Sequence, residues 1–259
     1  MLTNRENTVK TDRKLGKILG INVLVTRLDR VIAGVKNLIS HNSKFYIVTP
    51  NPELVLMAQH NKELRDALND SDLPVPDGVG LRIAIPDLPI IKGRDLFMKL
   101  IDLANENKWR VFFLGGLANE AGLAAERLRI QDLGFKIGTF RGPILDNNAE
   151  PLSEADKKLE KEAIDKINRF APQLLFVAFG NPKQEIWINK NLSKLKIGGA
   201  MAVGGTFRYV AGMSKLPPKW MEKLGLEWLF RLFTEPARIV RIFNAVIIFP
   251  LRVLLFRIF

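Results

Sequence analysis

The sequence predicts an α/β fold, a Rossmann-like and mostly parallel sheet with helices on both faces, carrying a C-terminal amphipathic helical appendage. Three observations predict it. From about residue 21, short runs rich in β-branched and aromatic residues alternate with longer helical patterns, which is the order of a βαβ sheet. Several of those runs end in polar turns containing glycine or proline, and in parallel sheets ligands collect at such carboxyl ends. After about residue 207 the chain changes to apolar stretches studded with arginine. The organisation read from these shifts is a polar extension over 1–17, a core over 18–206 and an appendage over 207–259.

In order, "INVLVT" and "KFYIVT" read as strands separated by a helix from Leu28 to Ser40. Asn51 to Leu68 reads as one helix, opening with Pro52 in its first turn and closing at "NDSD". A short helical segment follows Leu73 to Pro76, and then a helix runs from about Arg94 to Asn107. The strand "RVFFLGG" leads into a helix over Asn119 to Asp132, and "FKIGTF" is the next strand. A helix over Glu154 to Arg169, the strand "QLLFVAFG", a helix from Pro182 and the strand "IGGAMAVGG" complete the core.

With 47% hydrophobic and 25% charged residues, 259 residues can bury a sizeable core. The absence of cysteine rules out disulfides and thiolate metal sites, and His41 and His60 are too few for a histidine metal cluster. This fits a reducing cytoplasm. The first residues are polar, without the apolar stretch a secretory signal needs. The net charge of +12 is uneven: residues 1–20 contribute +3 and residues 207–259 contribute +6, so the middle is nearly neutral. Basic ends on a neutral core point to a polyanionic surface, anionic lipid or nucleic acid.

Candidate site residues lie at the strand ends. Gly115 and Gly116, and again Gly204 and Gly205, stand where backbone N–H groups can approach a phosphate ahead of a helix, or where a tight strand-to-helix turn needs glycine. In "GNPKQE", Asn181, Lys183, Gln184 and Glu185 fall on or next to the first helical turn. There Lys183 could meet a diphosphate, Gln184 a base edge and Glu185 a ribose hydroxyl, while Asn181 and Pro182 equally describe an ordinary capped helix. In "TPNPE", Thr49 and Asn51 sit on a proline-restricted turn suited to orienting sugar hydroxyls, and Asn51 also suits a helix cap. Asp77, between Pro76 and Gly78, is presented as a lone carboxylate at a rigid loop tip, the setting a general base needs. "DSD" at 70–72 has the form of a metal-holding DxD but lies at a helix end, so it reads as a turn and no metal is expected.

In the C-terminal stretch Arg241, Asn244, Pro250, Arg252 and Arg257 interrupt every window long enough to cross a membrane. Arg231, Arg238 and Arg241, spaced by seven and three, fall on one helical face beside Leu, Ile and Phe, the pattern of an interfacial helix over anionic lipid.

Taken in order, "TPNPE", "SDL" with "PDGVG", "FFLGG", "FGNPKQE", "VGGTF" and "LGLEWLFRLFTEPARIVR" resemble the WecG/TagA/CpsF bacterial glycosyltransferases, of the fold called GT-E, from Ile18 to Arg241. The resemblance implies inverting transfer of N-acetylmannosamine or a related sugar from a UDP-sugar to undecaprenyl-diphosphate-linked N-acetylglucosamine, peripherally on the inner face of the cell membrane, for a cell-surface polysaccharide or teichoic acid. It implies Asp77 as base, Thr49 and Asn51 as acceptor or donor contacts beside it, Gln184 at the nucleotide-sugar, and Arg231, Arg238 and Arg241 on the lipid diphosphate. No cofactor or metal is implied. Three positions depart from the family pattern: Arg208 replaces an acid associated with the donor site, Ile90 stands in place of an arginine before "KGRD", and Leu216 begins "LPP" where "RAP" is usual.

The alternative within the same fold is a membrane-associated UDP-sugar-binding protein with altered donor or lost activity. A nicotinamide-dependent dehydrogenase would need a GxGxxG after the first strand, and "INVLVTRLDR" has none. A nucleic-acid module predicts basic residues interleaved with aromatics across one face, whereas the basic excess sits at the two ends, so no nucleic-acid partner is expected. A homo-oligomer is compatible with the sequence.

Overall fold

The computed structural model describes residues 14–117, 119–129, 134–234 and 239–258. It opens with β1 (Leu15–Ile18) and β2 (Ile21–Leu24), paired antiparallel. The strand read at "INVLVT" is therefore real but belongs to a hairpin outside the main sheet, and Leu15–Lys17, read as extension, already lie in a strand. The reason is the turn: Leu19 and Gly20 both have positive φ (46° and 82°), the two-residue loop that joins twisted antiparallel neighbours.

Next come α1 (Leu28–Ser40), β3 (Phe45–Val48), α2 (Pro52–Met57), α3 (Lys62–Asn69) and β4 (Leu73–Pro74). The single helix expected over Asn51 to Leu68 is two. Asn51 Oδ1 accepts from Leu54 N at 2.9 Å and Asn61 Oδ1 from Leu64 N at 2.8 Å, so the second asparagine cap starts a new helix. A 3₁₀ turn (Val79–Ile83) leads to α4 (Gly93–Glu106), β5 (Val111–Gly115), α5 (Glu120–Arg129) and β6 (Ile137–Phe140). Then follow α6 (Glu154–Phe170), β7 (Leu174–Ala178), α7 (Lys183–Asn191), β8 (Gly199–Ala202) and α8 (Thr206–Val210).

The main sheet is parallel throughout, in the order β4-β3-β8-β7-β5-β6. Its inner strands are buried along their whole length because both faces are covered, as parallel sheets require. Successive residues serve opposite faces. Tyr46, Val48, Phe112, Leu114, Leu175 and Val177 join a core with α2, α3, α6 and α7. Phe45, Ile47, Val111, Phe113, Leu174 and Phe176 join another with α1, α4, α5 and α8. In the latter, Phe97, Phe113, Phe176 and Phe207 form tilted, edge-on and stacked ring pairs 4.7 to 6.1 Å apart. Phe113→Ala is expected to cost about 3–5 kcal/mol of unfolding free energy through the cavity it leaves, measured by urea denaturation; a loss below about 1 kcal/mol would mean that these rings repack freely.

The appendage starts later than the expected residue 207, because Phe207 of α8 is buried in the second core; it consists of α9 (Lys219–Lys223), α10 (Glu227–Thr234), α11 (Ile239–Phe243), a π-helical turn (Asn244–Ile248) and α12 (Phe249–Ile258). Phe249 and Val253, four residues apart on α12, are buried in the same core as α2, so this helix is pinned to that core by one face. Leu251, Leu254, Leu255 and Phe256 are exposed. By length and composition Ile239–Phe256 is apolar enough to cross a membrane, although the sequence reading took its polar residues to exclude that. The window carries only two charges, Arg241 and Arg252, and Pro250 falls where π geometry gives way to α, a place that tolerates a missing N–H.

Candidate active site

The carboxyl ends of β4, β3, β8 and β7 open into one cavity of about 500 Å³, roofed by the appendage. Asp77 lines it beside Thr49, and both are half-buried. The loop that presents Asp77 is tied down at both ends: its N–H donates to the Pro50 carbonyl at 2.8 Å, and Gly93 N, at the start of α4, donates to its Oδ2 at 3.1 Å. A Cβ at position 93 would make only ordinary contacts, 3.4 Å from Asp77 Oδ2 and 3.5 Å from Thr49 Oγ1, so this tie rests on the backbone N–H and not on the absence of a side chain. A carboxylate fixed in this way meets the positional demand on a general base. Asn51 also lines the cavity, with its Oδ1 committed to the α2 cap.

Gln184 lines the cavity but is 2% exposed, and its side chain is spent on protein. Its Oε1 accepts from Gly180 N at 3.2 Å and Gly204 N at 3.0 Å, while its Nε2 donates to Asn181 Oδ1 at 2.9 Å and Glu185 Oε1 at 2.8 Å. It thus staples the turn after β7 to the turn after β8 instead of reaching for a base edge. Pro182, joined to Asn181 by a cis bond, caps α7 in place of Asn181.

Two neighbours depart from their expected roles. Lys183 Nζ donates to the Leu145 carbonyl at 2.6 Å and is outside the cavity lining. Glu185 is fully buried, so it does not present a carboxylate to a ribose. Gly115 and Gly116 are also outside the lining. They serve packing: a Cβ on Gly115 would lie 2.8 Å from the Ala178 carbonyl oxygen, and Gly116 N already donates to that oxygen at 2.9 Å. Gly204 and Gly205 do line the cavity. Of "DSD", Asp72 Oδ2 accepts from Tyr46 N at 3.0 Å, docking the segment before β4 onto β3.

Burial pushes the Glu185 carboxyl up to about 7, partly offset by the Gln184 hydrogen bond, and its Oε2 has no hydrogen-bond partner. The folded state therefore holds this proton more tightly than the unfolded chain, whose glutamate titrates near 4.5. Stability from this group is greatest below that value and falls as pH rises toward 7, levelling off above it. Glu185→Gln is expected to remove that component, so that the variant gains on the parent by a few kcal/mol between pH 5 and pH 8. Urea unfolding at the two pH values measures it; an equal difference at both would show that Glu185 does not titrate there.

Around Asp77 the sequence reading missed a cluster of charges. Lys92 and Arg94, at the start of α4, meet Glu222 of α9 and Glu227 of α10. Arg94 pairs with Glu222 and, at 3.0 Å, with Glu227; Lys92 reaches them at 3.4 and 3.2 Å. All four line the cavity and are mostly buried. They fasten the appendage over the loop that holds Asp77. The signal available was the charged "KGRD" after an apolar run, which reads locally as a helix start, and each glutamate reads locally as a first-turn acid.

Arg241 of α11 lines the cavity and pairs with Glu53 of α2 at 3.3 Å. Arg231 lies in α10, and Arg238 lies outside the described residues, so their expected shared face with Arg241 remains an expectation. Ile90 and Arg208 line the cavity, and Leu216 is exposed. Arg208 Nε lies 3.3 Å from Glu120 Oε1. Burial pushes the Glu120 carboxyl up, against the opposing pull of Arg208 and of a Leu117 backbone hydrogen bond.

Residues 16–259 match the model of the glycosyl transferase WecG/TagA/CpsF family. Among curated relatives, the N-acetylglucosaminyldiphosphoundecaprenol N-acetyl-beta-D-mannosaminyltransferase of Bacillus spizizenii is 32% identical over 227 residues, covering 83% of this chain and 84% of that protein. The protein of the same name from Staphylococcus aureus strain MRSA252 is 30% identical over 249 residues, covering 92% and 90%.

Proposed function

This chain belongs to the WecG/TagA/CpsF family of glycosyl transferases, and from that footing we propose that it moves an N-acetylmannosamine-type sugar, with inversion, from a UDP-sugar to undecaprenyl-diphosphate-linked N-acetylglucosamine. The acceptor follows the names of the relatives. The observation that carries the reading is Asp77, fixed by the Gly93 amide in a cavity at the strand ends and roofed by a segment with an apolar outer face.

In the proposed reaction the acceptor hydroxyl oxygen attacks the anomeric carbon and its proton passes to the Asp77 carboxylate. The bond from the anomeric carbon to the β-phosphate oxygen breaks, and its electron pair leaves with UDP. Thr49 and Asn51 orient hydroxyls beside the base, and a cation stabilises the charge growing on the leaving diphosphate. Arg231, Arg238 and Arg241 are proposed to hold the lipid diphosphate, and the basic, apolar appendage to seat the enzyme on the anionic inner face of the membrane.

The test is a screen of UDP-sugars against a synthetic polyprenyl-diphosphate acceptor, with product mass as readout. A product heavier by one N-acetylhexosamine supports the proposal. Absence of transfer from every UDP-sugar, by protein that melts cooperatively, rejects it in favour of a sugar-nucleotide-binding protein that has lost turnover.

A further inference from the structure

We infer that Arg208 is the core's donor-diphosphate contact, held ready by the buried Glu120 behind it; this rests on the UDP-sugar reading above. The cavity has four cations among its described lining residues, Lys92, Arg94, Arg208 and Arg241. They are not equivalent. Both terminal nitrogens of Arg94 are engaged, one by Glu222 and one by Glu227, and Lys92 sits between the same two carboxylates. Their charge is spent on fastening the appendage. Arg208 and Arg241 each meet one carboxylate through Nε only, at 3.3 Å. Their terminal amino groups have no protein partner among the described residues.

The reaction brings two diphosphates to this cavity, one on the donor and one on the lipid. Arg241 belongs to the apolar appendage, the side from which a lipid arrives, and is the more exposed of the two. Arg208 belongs to the core, in the short helix that follows Gly204 and Gly205 at the end of β8. Its partner Glu120 is only 8% exposed in its side chain and sits at the start of α5. The Arg208 Nε is buried and lies 3.3 Å from Glu120 Oε1, an ion pair without hydrogen-bond geometry, so the stem is enclosed beside an opposite charge while the outer fork has no partner among the described residues. A planar fork of N–H donors fixed from behind suits the paired oxygens of a diphosphate, and it loses little conformational freedom on binding. Such a contact strengthens as the bond to the anomeric carbon breaks and charge gathers on the β-phosphate oxygen.

Calorimetric titration of UDP, UMP and uridine into the full-length protein, Arg208→Gln, Glu120→Gln and the double variant tests this. Arg208→Gln is expected to weaken UDP about 10- to 100-fold, the scale of a charge-assisted contact, with uridine unchanged and UMP between. Glu120→Gln, which keeps the cation but loosens it, is expected to lose less. The double variant, which leaves no buried acid unpaired, is expected to match Arg208→Gln. UDP binding equal to the parent's in Arg208→Gln overturns the inference. So does a loss shared equally by uridine, which would mark a structural role, and so does a double variant restored to parental UDP affinity. If the parent protein binds no UDP, the donor reading itself falls and takes the inference with it; parental UDP binding with an unaffected Arg208→Gln removes only the inference.

Discussion

Asp77→Asn is expected to fold like the parent protein and to lose about 100- to 10,000-fold of its turnover, the usual contribution of a positioned general base. The fold should survive because asparagine can keep both ties of the loop: its own N–H to the Pro50 carbonyl, and a side-chain oxygen for Gly93 N. What it cannot do is take up the acceptor's proton. Sugar transfer measured with radiolabelled donor, beside a thermal melt, separates the two effects. Turnover near that of the parent would remove Asp77 from the mechanism, and an equal loss of melting temperature would make it a structural residue.

Removal of residues 239–259 is expected to abolish binding to anionic vesicles and turnover on the lipid acceptor together. The truncation deletes Arg241 and the cavity wall formed by Ile242, Ala245, Val246 and Pro250. It also deletes Phe249 and Val253 from the core, and the loss of Phe249 alone is worth roughly 1.5–3 kcal/mol of burial. A companion variant separates packing from membrane contact: Leu251, Leu254 and Leu255 are about half exposed, so changing all three to Ser should reduce vesicle binding while leaving the melt unchanged. A truncated enzyme that still turned over lipid acceptor on vesicles would confine the segment to packing.

Much of the fold was readable along the chain. The bounds of α1 follow from its apolar spacing, and the fully apolar runs of β3, β5 and β7 mark strands covered on both faces. The strand at "INVLVT" was found but read into the parallel sheet, whereas it pairs antiparallel with β1, because period and composition describe a strand without saying which partner it pairs with. "GNPKQE" shows the same limit in the site. It correctly marked a strand-end turn on the cavity, yet one register position decides that Gln184 turns inward to bind two backbone amides and that Lys183 turns away to Leu145.

By itself the sequence determined most of the alternation of strands and helices in the core, a single aspartate on a proline- and glycine-bounded loop, and an apolar, arginine-bearing C-terminus. These depend on neighbours within a few residues, whose backbone preferences and periodicity act locally. Only the tertiary structure decided which charges meet: Arg94 with Glu222 and Glu227, 128 and 133 residues away, Arg208 with Glu120, and Arg241 with Glu53. Contacts at such separations are set by how the two cores pack and how the appendage lands on them, since no local preference favours one distant carboxylate over another.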